Sequence, residues 1–410
     1  MGLLNRFKKK ETKNEETTLY ILCQEEDSNA ILRAFDAVFG TSIADGGVNN
    51  GVLQNGDLSI EVVAYGQDLG EECGEFIKKQ VGGVCGHFAQ VETEKVDIKI
   101  NALHQLTGSR GFVNLKCTYP AGGRGQLEEM AYPPIFEVLA KVRGLLLTDH
   151  ASALFGEEGK LVFSDKGDSQ MEWFMPYERP LPEHFFEGAP ADALRRRNEN
   201  LAAIRARHIH VTEWLPLIES EEEASFRTAE EIAGRATALL IVALYSEYLL
   251  SEEADVEKAR EFIEPVKRCY GAERYFSPAE QAYLDNDDST EQDRIQFVWQ
   301  YEPLFVMLWA LGYEEELFFP DHICDVPGIT QVMRERDSME ALLKGAKLRS
   351  GKELLDAADM IFRLDWACVD TRIHGLPAPA GMDSGVVMER HKALNWLVCG
   401  DEWDKVDIST

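Results

Sequence analysis

The sequence predicts an α+β N-terminal domain followed by a larger all-α C-terminal domain. The first reason is length, since 410 residues exceed one ordinary domain and favour two. The second is that short apolar strands alternate with helical segments before residue 165, which is typical of an α+β domain. The third is that helical periodicity prevails after residue 190, beyond a segment rich in proline.

Shifts in composition predict the domain boundaries. Residues 1–16 are polar and basic, and we expect a disordered lead-in there. The α+β domain is predicted to span residues 17–178. A linker follows over residues 179–192, where Pro180, Pro182 and Pro190 lie close together. The helical domain then covers residues 193–410.

The elements of the first domain follow from hydrophobic periodicity and turn residues. Strands are predicted over 19–23, 58–63, 112–117 and 145–147, with a hairpin formed by 153–155 and 160–163. The first predicted helix is capped by Asp27 or Ser28 and is ended by Gly40. Further helices are predicted over 69–81, 96–106 and 127–142, although residues 96–106 also fit a strand. Gly82-Gly83 is expected to close the second helix. Pro133-Pro134 must lie in the first turns of the fourth helix or break it.

Clear start signals predict the helices of the second domain. In a capping box, a hydroxyl accepts a hydrogen bond from a free backbone amide, and the side chain three residues later returns the bond. Four pairs fit this pattern, namely Ser220–Glu223, Thr228–Glu231, Ser289–Gln292 and Ser350–Glu353. Ser277-Pro278 adds proline at a first helical position, and Gly375 is expected to end a later helix.

The charge balance is strongly acidic and uneven. The formal net charge is −30, and residues 211–410 carry 41 acidic and 19 basic side chains, a net of −22. A field this negative repels phosphate backbones, so no nucleic-acid partner is expected. It suits a basic protein partner, or it serves only to keep the protein soluble.

The sequence predicts no stable membrane insertion. Its longest apolar run, residues 238–244, is far shorter than the roughly 20 residues of a membrane span and indicates a core helix. The basic start has no long apolar stretch, so no signal peptide is expected. The eight cysteines form no C-x-x-C pair and are expected to be reduced thiols. Together these features predict a cytoplasmic protein.

A set of segments in the second domain is distinctive. It comprises residues 215–223, 230–236, 291–297, 309–313, 323–327, 365–370 and 389–396. The last two read Asp365-Trp366-Ala367-Cys368-Val369-Asp370 and Glu389-Arg390-His391-Lys392-Ala393-Leu394-Asn395-Trp396. Over residues 193–410 the chain resembles a bacterial family defined only as a domain of unknown function, family 4272. The resemblance implies a bacterial, soluble protein and supplies no activity or catalytic residues.

Common catalytic and cofactor motifs are missing from the sequence. It contains no G-x-x-x-x-G-K-[ST] phosphate loop, no G-x-S-x-G nucleophile elbow and no H-E-x-x-H zinc helix. No cofactor is therefore expected. Asp370 and His374, spaced i and i+4, could serve as metal ligands, although an exposed salt bridge explains them better.

One basic helix stands out in the acidic domain. It carries Arg195, Arg196 and Arg197, followed by Arg205 and Arg207. These arginines either dock on the acidic domain itself or bind an anion, and we favour intramolecular docking.

Charged residues inside apolar helical stripes form the main candidate site. Arg235, Glu302, Asp365, Arg372 and His391 each fall within or beside such a stripe, and Asn395 lies one turn after His391. A buried unpaired charge is strongly unfavourable, so these groups are expected to meet in one polar network. Pro303 should kink the helix that contains Glu302.

Two interpretations of this network remain open. The favoured one is a set of structural ion pairs that fixes helix packing. The other is a partly open pocket in which Glu302 or Asp365 acts as base and His391 as proton donor or ligand, with Arg235, Arg372 and Asn395 as binding residues. We therefore expect a non-catalytic binding or regulatory protein that recognises a basic partner, and we keep a hydrolase-type enzyme as the alternative. The sequence does not indicate the oligomeric state.

Overall fold

The computed structural model describes residues 14–46, 49–121, 124–252 and 254–410. The chain divides into two compact units between Pro180 and Leu181. Most of the expected lead-in lies outside the described residues. Residues 14–16 are described, and the expectation of disorder is wrong for them, because the first strand begins at Asn14. Backbone pairing with a later strand, from Asn14 opposite Pro120, extends this strand beyond its apolar part.

The first unit contains a seven-stranded antiparallel sheet within its described residues, and the predicted α+β class is confirmed. Its strands are β1 (Asn14–Cys23), β2 (Asn50–Asn55), β3 (Leu58–Gly66), β4 (Gly111–Pro120), β5 (Gly144–Leu147), β6 (Ala153–Phe155) and β7 (Leu161–Ser164). The strand order is β2-β3-β4-β1-β5-β6-β7. In the register of β1, Leu19 is opposite Leu115 of β4 and Ile21 is opposite Leu146 of β5.

Four helices accompany this sheet in the described residues: α1 (Ser28–Phe39), α2 (Glu71–Ala89), α3 (Val96–Thr107) and α4 (Arg124–Val142). Asp27 caps α1, and Gly40 ends it in the left-handed conformation. Alternate residues of β1, β3 and β4 form one core with α1 and α4, among them Ile21, Phe35 and Val138. The segment that also fitted a strand is the helix α3.

Two expectations about helix-breaking residues are wrong. Gly82 and Gly83 lie inside α2, because Val81 and Phe88 are buried on either side of the glycines and their packing holds the helix together. Pro133 and Pro134 lie well inside α4 rather than in its first turns. Burial of a continuous apolar stripe, which includes Ala131 and Ile135, offsets the missing proline hydrogen bonds.

The second unit is all-helical in its described residues, as predicted. Its helices are α5 (Ala191–Arg205), α6 (Ala229–Leu249), α7 (Val256–Tyr270), α8 (Pro278–Asp285), α9 (Glu291–Val298), α10 (Tyr301–Ala310), α11 (Val326–Arg334), α12 (Met339–Gly345), α13 (Gly351–Ile373) and α14 (Ser384–Val398). The apolar core of the unit draws on residues from most of these helices.

Helix α6 is the central element of this unit. It packs against α7, α9, α10 and α12. By length and composition α6 could cross a membrane, which the sequence analysis did not anticipate. However, 83% of its most apolar window is buried inside the structure, as expected for a core helix.

The start signals have mixed outcomes. Capping boxes form at Thr228 and Ser350 as predicted. Ser277 starts α8 with Pro278 in the first turn, also as predicted, and a capping box with Glu280 accompanies this start. The box predicted at Ser289 is wrong, because Thr290 caps α9 and Asp293 returns the bond. Ser220 does bond to Glu223, but the bond closes a turn rather than starting a helix.

Proline divides the helix that was expected to continue from residue 289. Instead of a kinked single helix, α9 ends at Val298 and α10 begins at Tyr301. Pro303 has no N–H to donate to Trp299, and the Glu302 N–H bonds to the Trp299 carbonyl instead, with an N–O distance of 3.0 Å. The break fixes the direction in which Glu302 enters the core.

Candidate functional site

Helix α14 carries four consecutive ionisable residues at the centre of the helical unit. Glu389, Arg390 and His391 are buried, and Lys392 is half-buried. Successive residues on a helix point in different directions, so this run can reach separate partners only if the helix is enclosed on several sides. Contacts with α10 and α13 provide that enclosure.

The Glu302–Arg390 pair joins α10 to α14. Arg390 Nε donates to Glu302 Oε2 at 2.9 Å, and the other carboxylate oxygen accepts from the backbone N–H of Cys324. Arg390 Nη1 donates to the carbonyl oxygen of Phe318 at 2.8 Å. Its guanidinium carbon lies 4.4 Å and 5.1 Å from the ring centres of Phe318 and Phe305. Sequence reasoning predicted Glu302 in the core but missed its partner.

The Arg235–Glu280 pair joins α6 to α8. Arg235 Nη2 donates to Glu280, and both side chains are buried. Glu280 also accepts from the N–H of Ser277, so one carboxylate serves both the capping box and the ion pair. The Arg235 guanidinium lies 4.9 Å from the ring centre of Trp403. Capping residues are usually exposed, so no feature of the sequence indicates that Glu280 lies in the core.

The third pair links His391 to Asp365 of α13. His391 Nδ1 lies 2.7 Å from Asp365 Oδ2, and the histidine is 0% exposed. The Asn395 amide nitrogen lies 3.0 Å from His391 Nε2 and 2.9 Å from the carbonyl oxygen of Asp407. An amide N–H can only donate, so Nε2 accepts and Nδ1 carries the proton donated to Asp365.

The predicted single network is therefore wrong in two respects. The predicted residues fall into three separate ion pairs, each with a partner on another helix. Arg372 is exposed and belongs to none of these pairs. It lies in the last turn of α13, where the neighbouring Ile373 is 74% exposed, so the long cation reaches water instead of the core.

Asp370 and His374 lie at the end of α13. His374 Nδ1 is 2.8 Å from the carbonyl oxygen of Asp370 and 3.7 Å from its Oδ1. The Asp370 pKa is raised by burial. In the part of the chain that the structure describes, no three His, Cys, Asp or Glu side chains are grouped so that they could hold a metal ion.

Glu389 is a buried carboxyl that the sequence analysis missed. Burial raises its pKa to about 7, and the nearby Glu302 charge adds to this effect. Two contacts lower the Glu389 pKa in part: the nearby Lys392 ammonium and a hydrogen bond from Gln296 at 3.1 Å. The sequence feature that could have indicated this carboxyl is the run of ionisable residues 389–392 on a helix that the structure shows to be enclosed.

The basic helix α5 docks within its own unit, which was the favoured interpretation. Arg196 and Arg197 are buried and donate to the carbonyl oxygens of Glu219 and Glu213. Arg205 pairs with the Glu213 carboxylate. Arg207 differs, because it is exposed and its guanidinium lies 4.1 Å from the ring centre of Phe319.

A pocket of about 300 Å³ lies beside the Glu302–Arg390 pair. It is bounded by α5, α13, α14 and the segment 316–320. The wall is mainly apolar, with Ile204, Met360 and Leu364 among its residues. Its charged lining residues are Arg390, Arg207 and Glu316.

A second pocket of about 250 Å³ lies near the His391–Asp365 pair. Asn395 and Asp407 line this pocket, whereas His391 and Asp365 do not. Asn395 thus stands between the histidine and the open space.

These features define a two-unit protein, in which an antiparallel α+β unit precedes a helical unit with a closed core of buried ion pairs. The family model described as "Domain of unknown function (DUF4272)" matches residues 195–406, and the chain belongs to this family. Comparison with curated proteins and with solved structures found no match.

Proposed function

We propose that this chain is a non-catalytic binding or regulatory protein whose helical unit recognises a basic protein partner. The observation that carries the proposal is an acidic surface with exposed apolar side chains, which we call the α8–α9 surface. Its acidic residues are Asp285, Asp288 and Glu291, and its apolar residues are Leu250, Phe262 and Ile295.

Contacts between the helices hold the parts of this surface together. Arg294 of α9 donates to the carbonyl oxygen of Leu249 at the end of α6, at 3.2 Å. Arg260 of α7 donates to the carbonyl oxygen of Leu284 in α8 at 2.9 Å. The rings of Tyr248 and Phe262 lie 5.6 Å apart and join α6 to α7.

The chemistry of this surface suits a cationic partner with apolar side chains. Carboxylates steer a basic protein towards the surface, while burial of exposed apolar groups gives affinity. The acidic excess of residues 211–410, a net of −22, adds to the negative field around this surface. We also propose that the protein acts in a bacterial cytoplasm, in keeping with its composition and the resemblance of its helical part.

The closed core supports a binding role over catalysis. Glu302 accepts from Arg390 and from a backbone amide, and His391 has partners on both ring nitrogens. A general base or acid must reach its substrate within hydrogen-bond distance, directly or through one water. Glu302 and His391 are instead each engaged with their own partners in the core.

A hydrolase-type enzyme is the second candidate, and one observation favours it. Asn395 lies between the His391–Asp365 pair and the pocket of about 250 Å³, at the end of the hydrogen-bonded chain Asp365–His391–Asn395. Movement of Asn395 would give a substrate access to Nε2. The variant His391→Gln separates the two candidates, because a structural histidine affects stability and a catalytic one affects activity.

The test of the binding proposal uses the full chain and two triple variants with the same change in net charge. The first, Asp285→Asn/Asp288→Asn/Glu291→Gln, neutralises the α8–α9 surface. The control, Glu221→Gln/Glu222→Gln/Glu340→Gln, neutralises exposed glutamates elsewhere on the helical unit. Proteins that co-purify with each form are compared at about 50 mM and about 500 mM salt.

We expect a basic protein to co-purify with the wild type and the control at low salt only. The α8–α9 variant should lose it at both salt concentrations. Absence of any salt-sensitive basic partner, or equal retention by both variants, would contradict the proposal.

A further inference from the structure

We propose that the pocket beside Arg390 binds a small, mainly apolar monocarboxylic acid, with the carboxylate accepting from the Arg390 guanidinium and the apolar body filling the space between α5 and α13. This inference is independent of the proposed protein partner, because the pocket and the α8–α9 surface share no residues.

The shape and lining of the pocket suit a small organic molecule. Its volume of about 300 Å³ lies at the lower end of the range for ligand sites, which are mostly apolar with a few polar groups that fix orientation. Its lining is mainly apolar and includes Ala203, Ile204, Phe318, Met360, Leu364 and Leu394. Only a ligand with an extended apolar part would cover this wall.

Arg390 lines the pocket and has one side-chain donor without a hydrogen-bond partner. Its Nε and Nη1 donate to Glu302 and to the Phe318 carbonyl, whereas Nη2 is buried and has no hydrogen-bond partner. A buried donor without a partner is unfavourable, and an acceptor oxygen of a ligand would satisfy it. Arginine is suited to this role because its planar fork presents several donors and stays charged.

The charges around the pocket favour a monocarboxylate over other headgroups. Arg207 lines the pocket from an exposed position and adds a second guanidinium, while Glu316 is the one lining carboxylate. A protonated amine has no acceptor for Arg390 Nη2. The two guanidiniums and one carboxylate of the lining sum to a charge of +1, so the second negative charge of a phosphate would lack compensation against a mainly apolar wall.

The test measures binding of octanoate to the full chain by isothermal titration calorimetry. 1-Octanol and octylamine carry the same chain with different headgroups and serve as comparison ligands. Ala203→Trp is expected to fill the pocket from α5. Ala202→Trp is its matched control, because Ala202 is the preceding exposed residue of α5 and does not line the pocket.

We expect octanoate to bind at one site, about tenfold more tightly than 1-octanol, and octylamine not to bind. Ala203→Trp should weaken octanoate binding by about tenfold or more, and Ala202→Trp should leave it unchanged. Arg207→Gln should weaken binding of octanoate only, and octanoate should still bind better than 1-octanol because the Arg390 donor remains.

Three results would overturn the inference. One is the absence of saturable octanoate binding to the wild type. Another is an equal effect of the two tryptophan variants, which would place the ligand elsewhere. The third is equal affinity for octanoate, 1-octanol and octylamine, which would mean that the apolar wall acts alone. Each result leaves the proposal for the α8–α9 surface untouched.

Discussion

Arg390 Nε lies 2.9 Å from Glu302 Oε2, in a place where both side chains are 2% exposed. Removing two charges from water is unfavourable, and their attraction compensates only when further hydrogen bonds satisfy the remaining groups. The Cys324 amide and the Phe318 carbonyl provide such bonds. Loss of both partners should therefore be less harmful than the sum of the two single losses.

Single substitution of this pair should strongly destabilise the helical unit. We expect Glu302→Gln or Arg390→Met to lower the free energy of unfolding by about 3–5 kcal/mol, because each leaves a buried group without its counterpart. Urea unfolding followed by tryptophan fluorescence measures the effect, since Trp309, Trp396 and Trp403 lie in this core.

The double variant Glu302→Gln/Arg390→Met provides the control for this prediction. Its loss of stability should be clearly smaller than the sum of the two single losses, because no charge remains unpaired. Additive losses would mean that the two residues do not act as a pair.

The buried histidine should behave as a structural residue. We expect His391→Gln to lower the melting temperature by several degrees, since it disrupts a hydrogen-bonded chain from Asp365 to Asn395. The exposed residue His374 gives the matched control, and His374→Gln should leave the melting temperature nearly unchanged. Calorimetry checks both variants. A His391→Gln protein of wild-type stability that loses a hydrolytic activity would instead support the enzyme alternative.

Glu389 should make stability fall as the pH rises. Burial raises its pKa from 4.5 to about 7, so between these values the folded state holds a proton that the unfolded state has released. The stability that the protonated Glu389 carboxyl allows is therefore fully present below pH 4.5 and is lost as the pH rises to about 7.

Substitution by glutamine should remove this dependence. At about pH 8, Glu389→Gln should raise the free energy of unfolding by up to about 3 kcal/mol, and near pH 5 the gain should drop below about 1 kcal/mol. Urea unfolding at the two pH values gives the comparison, with the exposed Glu222→Gln as control. A gain that does not depend on pH would contradict the shifted pKa.

Two helical glycines should respond to alanine in opposite ways. A Cβ at Gly234 of α6 would lie 2.3 Å from ring atoms of Tyr275, whereas a Cβ at Gly83 of α2 would meet nothing within 4 Å. Gly83→Ala should stabilise its unit by about 0.5–1 kcal/mol through helix propensity, and Gly234→Ala should destabilise by about 1–3 kcal/mol through overpacking. Unfolding by urea, followed by circular dichroism, measures both. The same sign for both variants would contradict the packing argument.

Local rules explain which parts of the fold could be predicted. Thr228 and Ser350 start helices because a capping box needs only residues three positions apart. The α9 start was misplaced by one residue because Ser289 and Thr290 both fit such a pattern, and tertiary packing selects between them. Gly82 and Gly83 predict the end of α2 by local rules alone. The helix continues because Phe88, which follows the glycines in the sequence, is buried and stabilises it.

The ion pairs show the limit of reading one helix at a time. Periodicity correctly assigned Glu302 and His391 to the core, because each lies among apolar residues of its own helix. It missed Arg390 and Glu389, since α14 is enclosed on several sides and an enclosed helix has no single apolar stripe. The prediction that Arg372 is buried was wrong for the opposite reason. An apolar stripe can continue along the sequence beyond the point where the helix leaves the core.

The position of β1 has a consequence for synthesis of the chain. It leaves the ribosome before both strands that flank it, because β4 begins at Gly111 and β5 at Gly144. Throughout that interval, the apolar segment Leu19–Cys23 in the nascent chain has two open hydrogen-bonding edges. We expect this segment to be a preferred binding site for ribosome-associated chaperones, and its release to await completion of the sheet.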